Sequence, residues 1–207
     1  MAVAQDQYPL RFDVDYPEQL DRFSTFFRLF FVIPIVLVLT FAVGSGTGSG
    51  FSVGAGIAAT GFLTLAPLLL ILFRMKYPRW WFDWNLELLR FSARTSVYFS
   101  LLRDEYPSTD EEQSIHLEMD YPDVQADLNR WLPLVKWLLA IPHYIVLFFL
   151  GIAAVIVVIL AWFAILFTGR YPQALFDFMV GFTRWGYRVQ AYAFLMITDR
   201  YPPFSLR

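Results

Sequence analysis

A chain of 207 residues that is 57% hydrophobic, 19% aromatic and 16% charged lies far from soluble composition, in which roughly a quarter of residues carry charge. Its formal net charge of −2 leaves no basic surplus for nucleic acid, and the absence of cysteine removes disulfides, thiolate metal sites and a cysteine nucleophile. This is the composition of an integral membrane protein with a poor catalytic inventory, since His116 and His143 are its only histidines.

In chain order, Met1 to Phe23 holds Asp6, Asp13, Asp15, Glu18 and Asp21 before any long apolar run, which is not the pattern of a secretory signal. Within it, Leu10 to Asp15 alternates apolar Leu10, Phe12 and Val14 with polar Arg11, Asp13 and Asp15, the periodicity of a strand with one buried face. Phe23 to Val43 forms the first expected span, and Pro34 is tolerable there because neighbouring helices can satisfy the freed backbone groups. A Gly-Ser-rich loop over Val43 to Gly56 turns the chain, and Ile57 to Phe73 returns it. The next helix, about 80–102, carries Asp83, Glu87, Arg90 and Arg94. At roughly 2.5 to 3.5 kcal/mol per charge near the bilayer centre, burying it would cost on the order of 10 kcal/mol, so it is expected to lie at the interface.

Ser108 to Ser114 is a polar linker, after which Ile115 to Asp120 repeats the alternating strand pattern. From Trp137 to Gly169 no Asp, Glu, Lys or Arg interrupts the sequence. One straight helix there would be about 50 Å long against a hydrocarbon core of about 30 Å, so a hairpin turning at Leu150 and Gly151 is expected, with spans at about 134–149 and 152–167. The last helix, about 174–197, carries Asp177, Arg184 and Arg188 and is placed at the interface by analogy with its counterpart.

That analogy rests on internal self-similarity. Leu10 to Pro17 corresponds to Ile115 to Pro122, and Arg28 with Pro34 corresponds to Lys136 with Pro142 at a shift of 108 positions. Beyond the Gly-rich insertion the shift is 94, relating Tyr77-Pro78 to Tyr171-Pro172, Arg90 to Arg184, Arg94 to Arg188 and Tyr98 to Tyr192. Seven of the eleven tyrosines precede proline and mark the junctions between elements, a dipeptide suited to a boundary turn with its ring in lipid and its hydroxyl in water. The expected fold is therefore mainly α and membrane-integral. Two tandem units over 1–107 and 115–207, joined by 108–114, contribute four transmembrane helices, two interfacial helices and a small cytoplasmic strand pair. No formal charge occurs from Leu29 to Phe73 or from Trp137 to Gly169, so neither hairpin tip carries one and all sixteen Lys and Arg residues lie on the other side, which places both termini in the cytoplasm.

Candidate binding groups follow from this placement. Asp83, Glu87, Arg90 and Arg94 fall within an arc of about 60° on a helical wheel, with Asp177, Arg184 and Arg188 at the matching positions of the second unit. Arg90, Arg94, Arg184 and Arg188, with Asp83 and Asp177 as the paired acids, are anion- or lipid-phosphate-binding candidates; the competing reading is a salt-bridge ladder on a wet helix face. His143 is an intramembrane polar group beside Pro142, either a proton-relay candidate or a neutral hydrogen-bonded histidine. Gly46, Gly48, Gly50 and Phe51 at the first hairpin tip are partner-contact candidates. No set of residues with metal-ligand spacing and no cofactor motif is present.

Ile141-Pro142-His143-Tyr144, Phe167-Thr168-Gly169-Arg170-Tyr171-Pro172 and the closing Asp199-Arg200-Tyr201-Pro202-Pro203-Phe204 resemble an uncharacterised bacterial membrane-protein family, domain of unknown function 4389. The second unit is the closer match. The first departs in having Ile35 for His143, Met75-Lys76 for Gly169-Arg170, and the Gly-rich insertion. The resemblance implies a location in the bacterial inner membrane and supplies no catalytic residue. Together these features lead to the expectation of a non-catalytic accessory or scaffolding subunit that contacts lipids and other membrane subunits or further copies of itself. The alternative is a small transporter or channel at the interface between the units.

Overall fold

The computed structural model describes residues 8–28, 67–108 and 113–207. Most of the expected first hairpin, including Gly46, Gly48, Gly50 and Phe51, lies outside them. The alternating segments form β1 (Leu10–Val14) and β2 (Ile115–Met119), which pair antiparallel with Leu10 opposite Met119, Phe12 opposite Leu117 and Val14 opposite Ile115. This register puts Leu10, Phe12, Val14, Leu117 and Met119 on one buried face, while Asp13, His116 and Glu118 face water. Period-two patterning fixes the register, because a slip of one residue would turn every apolar side chain outward.

Helical segments at 22–28 (α1) and 67–74 (α2) flank the undescribed stretch. They are followed by α3 (Arg79–Phe99), the single turn α4 (Val124–Asp127), α5 (Pro133–Leu139), α6 (Ile141–Thr168) and α7 (Gln173–Ala193). The apolar face of the sheet packs on α3 and α7, with the Phe12 and Tyr187 rings 5.3 Å apart, and α6 packs on α7. The Ser96 and Tyr187 hydroxyls, 3.0 Å apart, tie α3 to α7. The described chain is thus mainly helical with one small antiparallel strand pair.

The second unit differs from expectation. No turn occurs at Leu150-Gly151: α6 is a single helix of 28 residues that ends only where Gly169 takes the left-handed conformation at φ 72°. Gly151 lies inside it and faces α7; a Cβ there would sit 3.9 Å from Phe182 Cζ. The two spans expected at 134–149 and 152–167 are therefore replaced by the short α5 and one long helix. Among the described residues α6 is the one helix long and apolar enough to cross a membrane, so the expectation of four spans is not carried by them. Bilayer thickness limits only a helix that stands across it, and Gly151 is the one turn-favouring residue in the middle of the run.

The last helix is covered by protein on two sides. Met179, Trp185, Val189 and Tyr192 of α7 are buried because the sheet covers one side and α6 the other. Trp185 is therefore a core residue, whereas Trp80 and Trp84 at the start of α3 remain exposed.

A continuous α6 predicts that Gly151→Ala raises thermal stability in detergent by about 0.5 to 1 kcal/mol, the helix-propensity gain, because the new methyl group meets only ordinary van der Waals contact. A loss of that size would instead indicate a turn at this position.

Candidate functional site

The arginine stripe of α3 is anchored to the strand that follows it. Arg90 donates from Nε to the Leu117 carbonyl oxygen at 3.1 Å and pairs with Glu87 at 2.6 Å, while Arg94 donates to the Ser108 carbonyl oxygen at 2.6 Å. Both line a polar cavity of about 310 Å³ with Gln113, His116 and Glu118. On α7, Arg184 donates to the Phe12 carbonyl oxygen at 2.7 Å and pairs with Asp13 at 3.1 Å, and Arg188 donates to the Arg207 carbonyl oxygen at 2.7 Å. The paired acids are both exposed, Asp83 lying 3.8 Å from Arg79. Arg90 thus holds β2 and Arg184 holds β1, while Arg94 and Arg188 hold connecting and closing chain. Each has main-chain carbonyl contacts, so their first role is to fasten strands and connecting chain to helices.

A second set of groups was not singled out in the sequence, and it is more deeply buried. Lys136 of α5, fully buried, pairs with Asp199 at 2.6 Å, donates to the Thr198 carbonyl oxygen at 2.7 Å, and lies 5.3 Å over the Tyr192 ring. Arg28 of α1 pairs with Asp104, donates to the Arg103 carbonyl oxygen at 3.1 Å, and lies 4.6 Å over the Tyr98 ring. The two carboxylates also accept the backbone N–H of Asn129 at 2.5 Å and of Asp21 at 2.6 Å, respectively. The Tyr16 hydroxyl donates to the Tyr171 carbonyl oxygen, and the Tyr121 hydroxyl to that of Tyr77. Among the described residues three bulky side chains sit in the left-handed region, Met75 at φ 46°, Leu101 at φ 65° and Met196 at φ 57°. The available signal was the coincidence of Arg28 with Lys136 and of Asp104 with Asp199 in the alignment of the halves.

His143 is wholly buried. Its Nδ1 accepts the Trp185 indole N–H at 3.1 Å, so Nε2 carries the ring proton, and that nitrogen has no partner. Phe204 stacks on the ring at 4.0 Å and 14°, held there by the closing segment of the chain. The same segment crosses α7 at Gly181, where a Cβ would lie 2.4 Å from the Leu206 carbonyl oxygen. His143 is therefore the hydrogen-bonded histidine of an aromatic cage. Among the described residues no group of three or more His, Asp or Glu side chains could hold a metal ion.

With this geometry in place, the comparisons locate the second half of the chain. Residues 131–205 match the family model described as a domain of unknown function, DUF4389. The matched stretch includes α5, α6 and α7 with Lys136, His143, Trp185 and Asp199. No curated protein and no solved structure matches the chain.

Burial shapes the titration of the groups between the layers. It pushes the Tyr187 hydroxyl up to about 12, against the lowering effect of its Ser96 hydrogen bond. Burial also raises Tyr8, Tyr77 and Tyr171, the first despite the Arg188 charge beside it. Arg188 is itself held below the ordinary arginine value by burial and by Arg184. Between the ordinary tyrosine value of 10.0 and about 12 the unfolded chain has lost a proton that folded Tyr187 retains, so stability falls as pH rises through that window. Tyrosinate absorbance from the buried rings is expected to appear together with loss of folded structure in an alkaline titration. Smooth ionisation of every tyrosine near 10 with the fold intact would contradict this burial.

Proposed function

We propose that this chain is a membrane-integral accessory protein, without chemistry of its own, that holds partner subunits and lipid through exposed apolar and aromatic surface. One observation carries the reading. The 28-residue α6 contains no charged residue, yet Ile145, Phe148, Ile152, Ile156, Ile159 and Phe163 are all exposed. A core helix of a soluble protein would be covered; an uncovered surface of this size marks a lipid or protein contact. The family resemblance supports location in the bacterial inner membrane and the distribution of Lys and Arg supports cytoplasmic termini, while any multi-pass arrangement depends on residues 29–66. The channel alternative is not favoured, because His143 is packed among aromatic rings instead of lining a path.

Purification of the full chain in mild detergent, with identification of what accompanies it, tests the reading. Stoichiometric foreign subunits are expected, and a chain resistant to carbonate extraction that emerges only with copies of itself would overturn the accessory role.

We also infer that the two halves are copies of one unit that have exchanged strands. Arg90 of the first half anchors β2 of the second, Arg184 of the second anchors β1 of the first, and the Tyr16 and Tyr121 hydroxyls cross over in the same reciprocal sense. If Arg28 and Lys136 are equivalent, Lys136→Arg should keep near-native stability. Lys136→Met, which strands the Asp199 carboxylate, should lose about 3 kcal/mol or more in thermal or denaturant unfolding. Equal losses in the two variants would count against the equivalence.

A further inference from the structure

The arrangement of polar groups around α6 bears on how it meets a membrane. On a helical wheel His143, Ala154, Ala161 and Ile165, the buried residues of α6, fall on one side, within an arc of about 40°. Ile145, Ile152, Ile159 and Phe163 fall on the opposite side, in an arc of similar width. One face of α6 is therefore protein-covered along its whole length and the other is exposed along it, with Ile159 and Phe163 also lining an apolar cavity of about 480 Å³ beside Phe26 and Phe99.

Charged and hydrogen-bonding chain meets both ends of the helix. Before its N-terminus Lys136 pairs with Asp199, and the Tyr201 hydroxyl donates to the Leu139 carbonyl oxygen at 3.0 Å. At its C-terminus the Leu20 N–H donates to the Gly169 carbonyl oxygen at 3.0 Å, with the Arg22 guanidinium alongside. The segment holding β1 joins these two ends: the Tyr8 hydroxyl bonds the Arg200 carbonyl oxygen at 3.4 Å, and the Tyr16 hydroxyl bonds that of Tyr171. Between them, Asp13 of β1 and His116 and Glu118 of β2 point into water.

If α6 stood across the bilayer, this polar sheet would be carried through the hydrocarbon beside it. Each charge held at the bilayer centre lowers the probability of insertion by about a hundredfold or more. The helix would also be about 42 Å long against a core of about 30 Å. Neither conflict arises if the helix lies in the plane of the membrane.

We propose that α6 is an in-plane anchor: its bare face is embedded in the headgroup and upper acyl region of one leaflet, with the sheet facing the aqueous phase on the opposite side of the same module. The occupant of the bare face is a leaflet containing acidic phospholipid. Exposed Arg22, beside Gly169, and exposed Arg170 at the C-terminal end of α6 supply charge complementary to lipid phosphates. The inference rests on the membrane reading above and adds the orientation.

The chain contains no cysteine, so single-cysteine spin labels can be placed cleanly at Ile145, Ile152, Ile159 and Phe163 in the full protein, reconstituted in phosphatidylethanolamine–phosphatidylglycerol vesicles. These positions are exposed, so folding should be preserved, and the depth of each label is read from its collisions with oxygen and with a water-soluble nickel complex. An in-plane helix gives four depths within about 4 Å of one another, about 5 to 10 Å below the headgroup boundary. A helix across the bilayer gives depths that change by about 1.5 Å per residue, some 27 Å from the first site to the last and passing through the centre, and would overturn the proposal. Labels with no lipid exposure at any site would overturn the membrane reading itself, a result distinct from the graded profile.

Discussion

An uncharged helix face and a charged strand face lie on opposite sides of α7, and the rest of the molecule accommodates both. α7 carries two arginines toward the sheet and Trp185 and Phe182 toward α6. It acts as the partition between a polar and an apolar half. Most of its own polar groups have partners: Arg184 and Arg188 hold main-chain carbonyl oxygens, the Trp185 indole donates to His143 and the Tyr187 hydroxyl pairs with that of Ser96, and a charged group left without such a partner in this layer would be costly. Connecting chain is tied by side-chain-to-backbone bonds as well, from Arg94 to the Ser108 carbonyl oxygen and from Arg28 to that of Arg103.

The reciprocal contacts give this arrangement a long-range character. β1 is fastened by an arginine about 170 residues later in the chain, and each Tyr-Pro hydroxyl reaches across to the other half. Neither strand can therefore find its helix until the other half has been made. The first half alone would lack the guanidinium that seats β1, and the second alone would lack the one that seats β2. Folding of the described part requires closure of long loops before most buried polar contacts are made, which is characteristic of slow rather than local assembly.

Much of this was legible in residue patterns. Alternation at Leu10 to Val14 and Ile115 to Met119 was enough for both strands and their buried faces, and the Tyr-Pro dipeptides marked junctions that the structure places at element ends. The spacing of Arg90 with Arg94 and of Arg184 with Arg188 pointed to shared helix faces, but not to the carbonyl groups they hold, because those acceptors belong to backbone far away in sequence. The long apolar run was misdivided since length alone was converted to depth; what decides the course of α6 is the position of charges on neighbouring elements. Lys136 aligned with Arg28 in the sequence but carried no role there, because a single lysine before an apolar run looks like a flank, and only Asp199, distant in the chain, makes it an internal cation.

The crossing of the closing segment over Gly181 links these layers in a further way. A hydrogen atom at that position is the clearance through which Leu206 approaches α7, and this approach keeps Phe204 flat against His143. The seal over the buried imidazole is consequently set by main chain lying on the surface of α7, and not by the exposed apolar helix to which the imidazole belongs. Whatever lifts that strand of chain also admits water to an unpaired N–H at the root of α6. A surface event thereby acquires a polar consequence within the apolar half.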